Sequence, residues 1–351
     1  MISRVADHCF WLGRYLERAE STARVLSVTE SLSLDAELTP EQCWLPVIIV
    51  SGEREHFSQK HGELSEIPER ASELVPRYMT WDEDNLVCID RSIAAARENA
   101  RSIREVVSLE GWESTNELYR WMAGEGRVMF ERDRYGFYRH IRRGVQLVLG
   151  LLRSTMLHDA PLDFIWLGVM LERVGQTARV LDVHHHAFTS LVRARREEVV
   201  ETALWLTLLR ACSGFEPFMK RHRGAVTAEA VAAFLLFEAD FPRSIRFCLD
   251  AASDRFFQHI RPPHQPSLPG AGTAARLSAL AAWLRARASE PLPTDVHELL
   301  THVVDEAGAI GNLLSAELFY APVATTSPGA GDVGYDAAAL GTTSQSQTQT
   351  S

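Results

Sequence analysis

The chain has 351 residues, 46% of them apolar and 23% charged, with a formal net charge of −10. These are the proportions of an ordinary globular protein, long enough for about two domains of ~150 residues each. The negative balance excludes a general nucleic-acid binder, which needs a basic face against phosphate, and no apolar run approaches the ~20 residues of a membrane span.

Met1 to Asp7 holds no long apolar stretch, so no signal peptide is expected. Ser3 is placed to cap a first helix running to about Ser31. Thr39-Pro40-Glu41-Gln42 has the form of a capping box with proline at the first helical position, opening a helix that ends at Ser51-Gly52. Residues 53–77 are polar and contain Pro68 and Pro76; they read as a loop with one short helix. Helices are expected over about 85–108 and 112–122, then a turn at Gly124 and Gly126, then a helix over about 135–155. Asp159 and Pro161 mark the start of the next helix. Two amphipathic helices, about 273–289 and 295–320, follow the later elements.

The helix after Asp159 repeats the opening one. From Trp11 to Val28 and from Trp166 to Val183, 12 of 18 positions are identical at an offset of 155. Leu204-Trp205-Leu206 through Gly214 echoes Cys43-Trp44-Leu45 through Gly52, and Phe234 to Asp240 echoes Tyr78 to Asp84. The expected fold is all-α: an internally duplicated multi-helix bundle with pseudo-two-fold halves at 1–157 and 158–320. Residues 321–351, rich in Thr, Ser, Gly and Gln, are expected to form a disordered tail.

Within the repeat, Trp11, Leu12, Tyr15, Leu16, Ala19, Ala23 and Leu26 share an arc of about 140° that reads as a core face. Gly13, Glu17 and Arg24 lie together on another side, as do Gly168, Glu172 and Arg179. A glycine inside a helix costs about 0.5–1 kcal/mol relative to alanine, so its presence in both copies implies a close approach to the backbone, by a neighbouring helix or a ligand. Two readings stand for the charged residues. Glu17 and Arg24 with their copies form ion pairs that dock the halves. Alternatively, Glu17, Arg18, Arg24, Glu172, Arg173 and Arg179 line a cleft and hold a polar ligand. Asn99 shares an apolar stripe with Ala95, Ile103 and Val106, so its amide must find partners, either across a helix contact or on a ligand beside Arg101. The second half has Arg255 and Phe257 at those two places.

Asp82, Asp84, Glu238 and Asp240 precede helices; Asp84 and Asp240 are positioned to cap them, and an oxygen site for a magnesium-type ion would require all four to meet Glu17 and Glu172. His184-His185-His186 cannot chelate one ion from a regular helix, because successive side chains diverge by 100°, and no metal is expected there. No cofactor is expected either, as the chain contains no P-loop, GxGxxG, GxSxG or HExxH motif. Cys9, Cys43, Cys88, Cys212 and Cys248 are odd in number and form no CxxC; they read as buried free thiols of a reducing cytoplasm.

The two Leu-Glu-Arg helices, with Glu17-Arg18 and Glu172-Arg173, the Glu98-Asn99-Ala100-Arg101 run and Phe241-Pro242-Arg243-Ser244 together resemble the bacterial alpha-E family, over about residues 1–320. The chain departs from that pattern at Leu86-Val87-Cys88, where the resemblance calls for a more polar Pro-Asn-Ser-like segment. The resemblance implies association with a circularly permuted ATP-grasp ligase and a transglutaminase-like protein that make or modify peptides. On that basis the chain is expected to be an accessory partner of such a system. The alternative is an enzyme of the same pathway, with Glu17 or Glu172 as acid or base between the halves.

Overall fold

Two long helices side by side set the architecture. The computed structural model describes residues 3–35, 38–195, 198–293 and 295–320, and side-chain surroundings within them except at residues 35 and 186–201. The first long helix, α1, spans Ser3–Asp35. It is followed by α2 (Pro40–Ser51), α3 (Arg54–His61), α4 (Ala71–Trp81), α5 (Ile89–Ser102), α6 (Leu109–Trp121), α7 (Arg127–Arg132) and α8 (Arg134–Thr155). The second long helix, α9, spans Ala160–Arg195. After it come α10 (Glu198–Ala211), α11 (Phe215–Arg221), α12 (Ala228–Phe237), α13 (Ile245–Arg255), α14 (Ala271–Arg287) and α15 (His297–Leu314). Among the described residues there is no strand, and Met1–Ala321 form one compact unit.

The local signals act where hydrogen bonding dictates. Thr39 Oγ1 accepts from the Gln42 amide at 3.2 Å and the Gln42 side chain accepts from the Thr39 amide at 3.0 Å, closing the capping box of α2. That helix ends on Gly52, at φ 79°, a conformation open to glycine. The caps of α5 and α13 are Cys88, through its sulfur, and Ser244, through its hydroxyl. Asp84 and Asp240, expected in that role, instead bind Lys60 and Arg221 in the preceding turns.

Three boundaries differ from the periodicity. The helix expected over 85–108 is shorter, because the turn through Asn85 to Cys88 precedes its cap and residues beyond Ser102 turn away. Residues 53–77 hold α3 and most of α4 rather than a loop; burial of Phe57, Val75, Tyr78 and Met79 outweighs the internal Pro76. Gly124 and Gly126 make no turn. They sit in a π-helical segment, Met122–Gly126, that continues from α6 into α7. The expectation for residues 321–351 lies outside the described residues.

Helix α1 packs along α9, α5 and α8, while α9 packs on α13 and α15. Both long helices are therefore covered on nearly every side. Leu12, Leu16, Ala19, Ala23 and Leu26 are in the core as their spacing predicts, and Leu167, Leu171, Val174, Ala178 and Leu181 match them. Trp11 and Tyr15 leave that arc half-exposed, Arg14 lying over the Trp11 ring at 5.2 Å. Among the described residues, no helix is long and apolar enough to cross a membrane. All five cysteines are free and buried.

Candidate functional site

At the centre of the unit α1 and α9 meet backbone to backbone. A Cβ on Gly13 would lie 2.0 Å from the Ile165 carbonyl oxygen, and one on Gly168 would lie 2.1 Å from that of Phe10. Each glycine admits the other helix, so the visitor inferred from their presence is a helix. The two helices run in the same direction from this crossing, and about one turn further the acidic residues exchange partners. Glu17 accepts from Arg173 at 2.6 and 2.9 Å. Glu172 accepts from Arg18 at 2.7 and 3.1 Å and from Arg14 at 2.8 Å.

Both carboxylates are buried, with Glu17 at 0% and Glu172 at 1% exposure. Their oxygens are also saturated. Glu17 takes a further hydrogen bond from Arg243 at 2.8 Å and one from the Ser21 hydroxyl at 3.2 Å, and Glu172 takes one from Gln176 at 3.2 Å. Burial alone pushes the Glu17 carboxyl upward, but the charges of Arg173 and Arg243 outweigh it and hold the group at about 2. Glu172 is treated in the same way by burial against Arg18 and Arg14, and ends well below the usual carboxylate range.

These shifts fix the sign of an acid response. A carboxyl depressed on folding contributes stability that is complete above its unfolded value near 4.5 and is lost as pH falls toward its folded value. The urea midpoint of the chain is therefore expected to stay level from pH 7 to about 5 and to fall steeply between about 4.5 and 2, Glu17 alone accounting for on the order of 3 kcal/mol. A flat midpoint through that window would show that the pairs do not form.

The remaining residues of the sequence-based set are divided. Arg24 pairs with Glu20 on its own helix and not across the halves as the docking reading has it, and Glu20 also accepts from Arg243 at 2.7 Å. Arg179 stands beside the Glu172 cluster without a hydrogen bond or ion pair of its own among the described residues. Asn99 and Arg101 are elsewhere. The Asn99 carbonyl oxygen meets His8 Nδ1 at 2.8 Å and its amide donates to the Ala95 carbonyl, tying α5 to α1. Arg101 is exposed and pairs with Glu98. At the corresponding place in the later helices, Arg255 and His259 hold the buried Asp163 at 3.0 and 2.5 Å.

Arg14, Glu20 and Asp163 belong to these networks and are not singled out by the sequence; Arg243, named there only within the Phe241–Ser244 segment, is given no part in the site. Only Glu20–Arg24 carried a readable signal, its i,i+4 spacing. Arg243 lies in the turn before α13, and nothing local shows that it reaches back to α1. Asp82, Asp84, Glu238 and Asp240 stay on the surface turns with Lys60 and Arg221 and do not meet Glu17 or Glu172. Among the described residues no cluster of His, Cys, Asp or Glu has the arrangement of a metal site. His184 donates Nδ1–H to the Val180 carbonyl at 2.8 Å, His185 packs against Trp205, and the His186 side chain lies outside the described residues.

The arrangement defines a class: an all-helical protein in which a glutamate–arginine motif on two central helices locks one helix to the other. The chain belongs to the Alpha-E family, described as a predicted alpha-helical domain with a conserved ER motif, which it matches over residues 1–319. It is similar to an uncharacterised protein of Mycobacterium bovis, 24% identical over 309 residues, and to uncharacterised proteins from two strains of Mycobacterium tuberculosis at 24% and 23%. In each case the match covers 84% of this chain and 33% of the relative, so the chain spans about a third of the length of the curated relatives it matches. No solved structure matches it.

Proposed function

We propose that this chain is an accessory partner, not itself catalytic, in a bacterial peptide-forming or peptide-modifying system built on a circularly permuted ATP-grasp ligase and a transglutaminase-like protein. The observation that carries the reading is the condition of the motif glutamates. A general acid or base must exchange a proton with substrate and titrate near the working pH. Glu17 and Glu172 are ionised, buried and saturated with hydrogen bonds from arginines, which supports a structural use of the motif and weakens the alternative of an enzyme acting through them. The family resemblance supplies the partners. That the mycobacterial relatives carry the matched region as a third of a longer chain supports a module that works beside other sequence. Five free buried thiols support a cytoplasmic setting.

The test is co-expression with a circularly permuted ATP-grasp ligase from the same bacterium. The two are expected to co-purify, with ligase activity rising when the chain is present. A ligase that is fully active alone and never associates with the chain would overturn the proposal.

A further inference from the structure

The two glutamate–arginine clusters are closed differently, and the difference leaves a cavity. In the cluster around Glu17, Arg243 enters from the residue just before the cap of α13 and bridges Glu17 and Glu20. In the cluster around Glu172, the residue just before the cap of α5 is Val87, too short and apolar to do this. At the offset of 155 the counterpart of Glu20 is Gly175. The bridging arginine and its carboxylate are thus both missing from one side.

What remains is a cavity of about 80 Å³ beside Arg179, bounded by α1, α2 and α9 with Val87 at its edge. Arg179 is half-buried and makes no hydrogen bond or ion pair among the described residues. Its guanidinium lies over Gly175, about 3.3 Å from where a Cβ would be. Burial works against its charge, and of its neighbours Glu172 favours the charge while Arg18 and Arg14 oppose it. The one carboxylate in the wall, Glu172, already receives Arg18, Arg14 and Gln176, so three guanidiniums face one anion. Thr22 and Ser51 add hydroxyls, whereas Val47, Val50 and Met79 make an apolar wall.

We infer that this cavity binds a short aliphatic carboxylate, its head paired with the Arg179 guanidinium and its chain laid on the valine wall. The chemistry follows from the lining. A guanidinium without a counter-ion matches a carboxylate in a planar, two-point fashion, and the apolar wall rejects a small, fully hydrated anion. The size favours a short ligand: on the scale on which a cavity of about 150 Å³ holds benzene, the space takes roughly three non-hydrogen atoms, a carboxylate head, and leaves room for only a short chain on the valine wall. The same head and tail occur in a free acid and at the C-terminus of a peptide that ends in a small aliphatic residue.

The test is a ligand-observed NMR titration of the full chain at pH 7 with isovalerate, N-acetylvaline, isovaleramide and inorganic phosphate, each to 20 mM. Isovalerate or N-acetylvaline should saturate in the millimolar range, and the tighter of the two identifies a free acid or a peptide terminus as the source. Isovaleramide and phosphate should bind at least tenfold more weakly. Arg179→Gln should weaken acid binding at least tenfold while melting no lower than the parent, since Arg179 has no partner to lose. The double variant Val87→Arg with Gly175→Glu, which copies the closed cluster, should abolish binding. The inference is overturned if neither acid binds below 20 mM, if isovaleramide or phosphate binds as well as the acids, or if Arg179→Gln binds within twofold of the parent.

Discussion

Glutamine in place of Glu172 is expected to cost the fold about 3–5 kcal/mol, the usual effect of removing one partner from a buried ion pair. The side chain keeps its shape, so little of that loss is packing. What changes is that Arg14 and Arg18 lose the carboxylate they share, while Arg179 alongside has none of its own. Against a total stability of about 5–15 kcal/mol for a typical domain, the variant should unfold at a markedly lower urea concentration. Glu17→Gln should cost less, because Glu20 still lies 2.7 Å from Arg243. Urea melts of the two variants beside the parent check both the size and the order. A loss under about 1 kcal/mol for Glu172→Gln would mean that the pairs behave like surface salt bridges and that the lock described above is not one.

Alanine at Gly13 or Gly168 is the second large effect. In an isolated helix the change would gain about 0.5–1 kcal/mol. Here the added carbon would sit 2.0 or 2.1 Å from a carbonyl oxygen of the facing helix, and backbone cannot rotate aside as a flexible side chain does. The helices must separate, and overpacking of this sort costs about 1–3 kcal/mol and occasionally more. The steric term exceeds the propensity gain, so each single variant should be less stable. The two clashes sit at one crossing, and moving the helices apart for one relieves much of the other. The double variant should therefore cost clearly less than the sum of the singles. Chemical denaturation of the four-member cycle measures this directly; a fully additive result would place the two glycines in independent contacts.

Much of this centre is legible in the sequence. The glycine in each repeated helix implied a close approach because its local cost needed a reason, and the reason is the crossing of α1 and α9. The docking role of Glu17 was legible for the same reason, since a charged residue retained on two helices needs a partner for each. Its partner was not. The docking reading offers Arg24 and its copy Arg179, which share the helical faces of the two glutamates, whereas Arg173 and Arg243 are 156 and 226 residues away and no local pattern reports such a distance. Asn99 shows a different limit. An amide on an apolar stripe announces that a partner exists, but whether His8 or a ligand fills that place is decided by which helix lies opposite. Helix ends failed where tertiary burial overruled punctuation, as at Pro76 in α4, or where a cysteine sulfur caps α5 in place of the acids upstream.

The separation between Glu17 and Arg243 has a consequence for biosynthesis. At about 5–20 residues per second, a ribosome needs on the order of ten to forty-five seconds to travel from one to the other. For most of that interval Glu17 has no counter-ion, since Arg173 follows it by 156 residues, and the apolar stripe of the first long helix waits for α9, which begins at Ala160. The central lock cannot close until about two thirds of the message has been read, and until then the N-terminal segment is exposed to premature association.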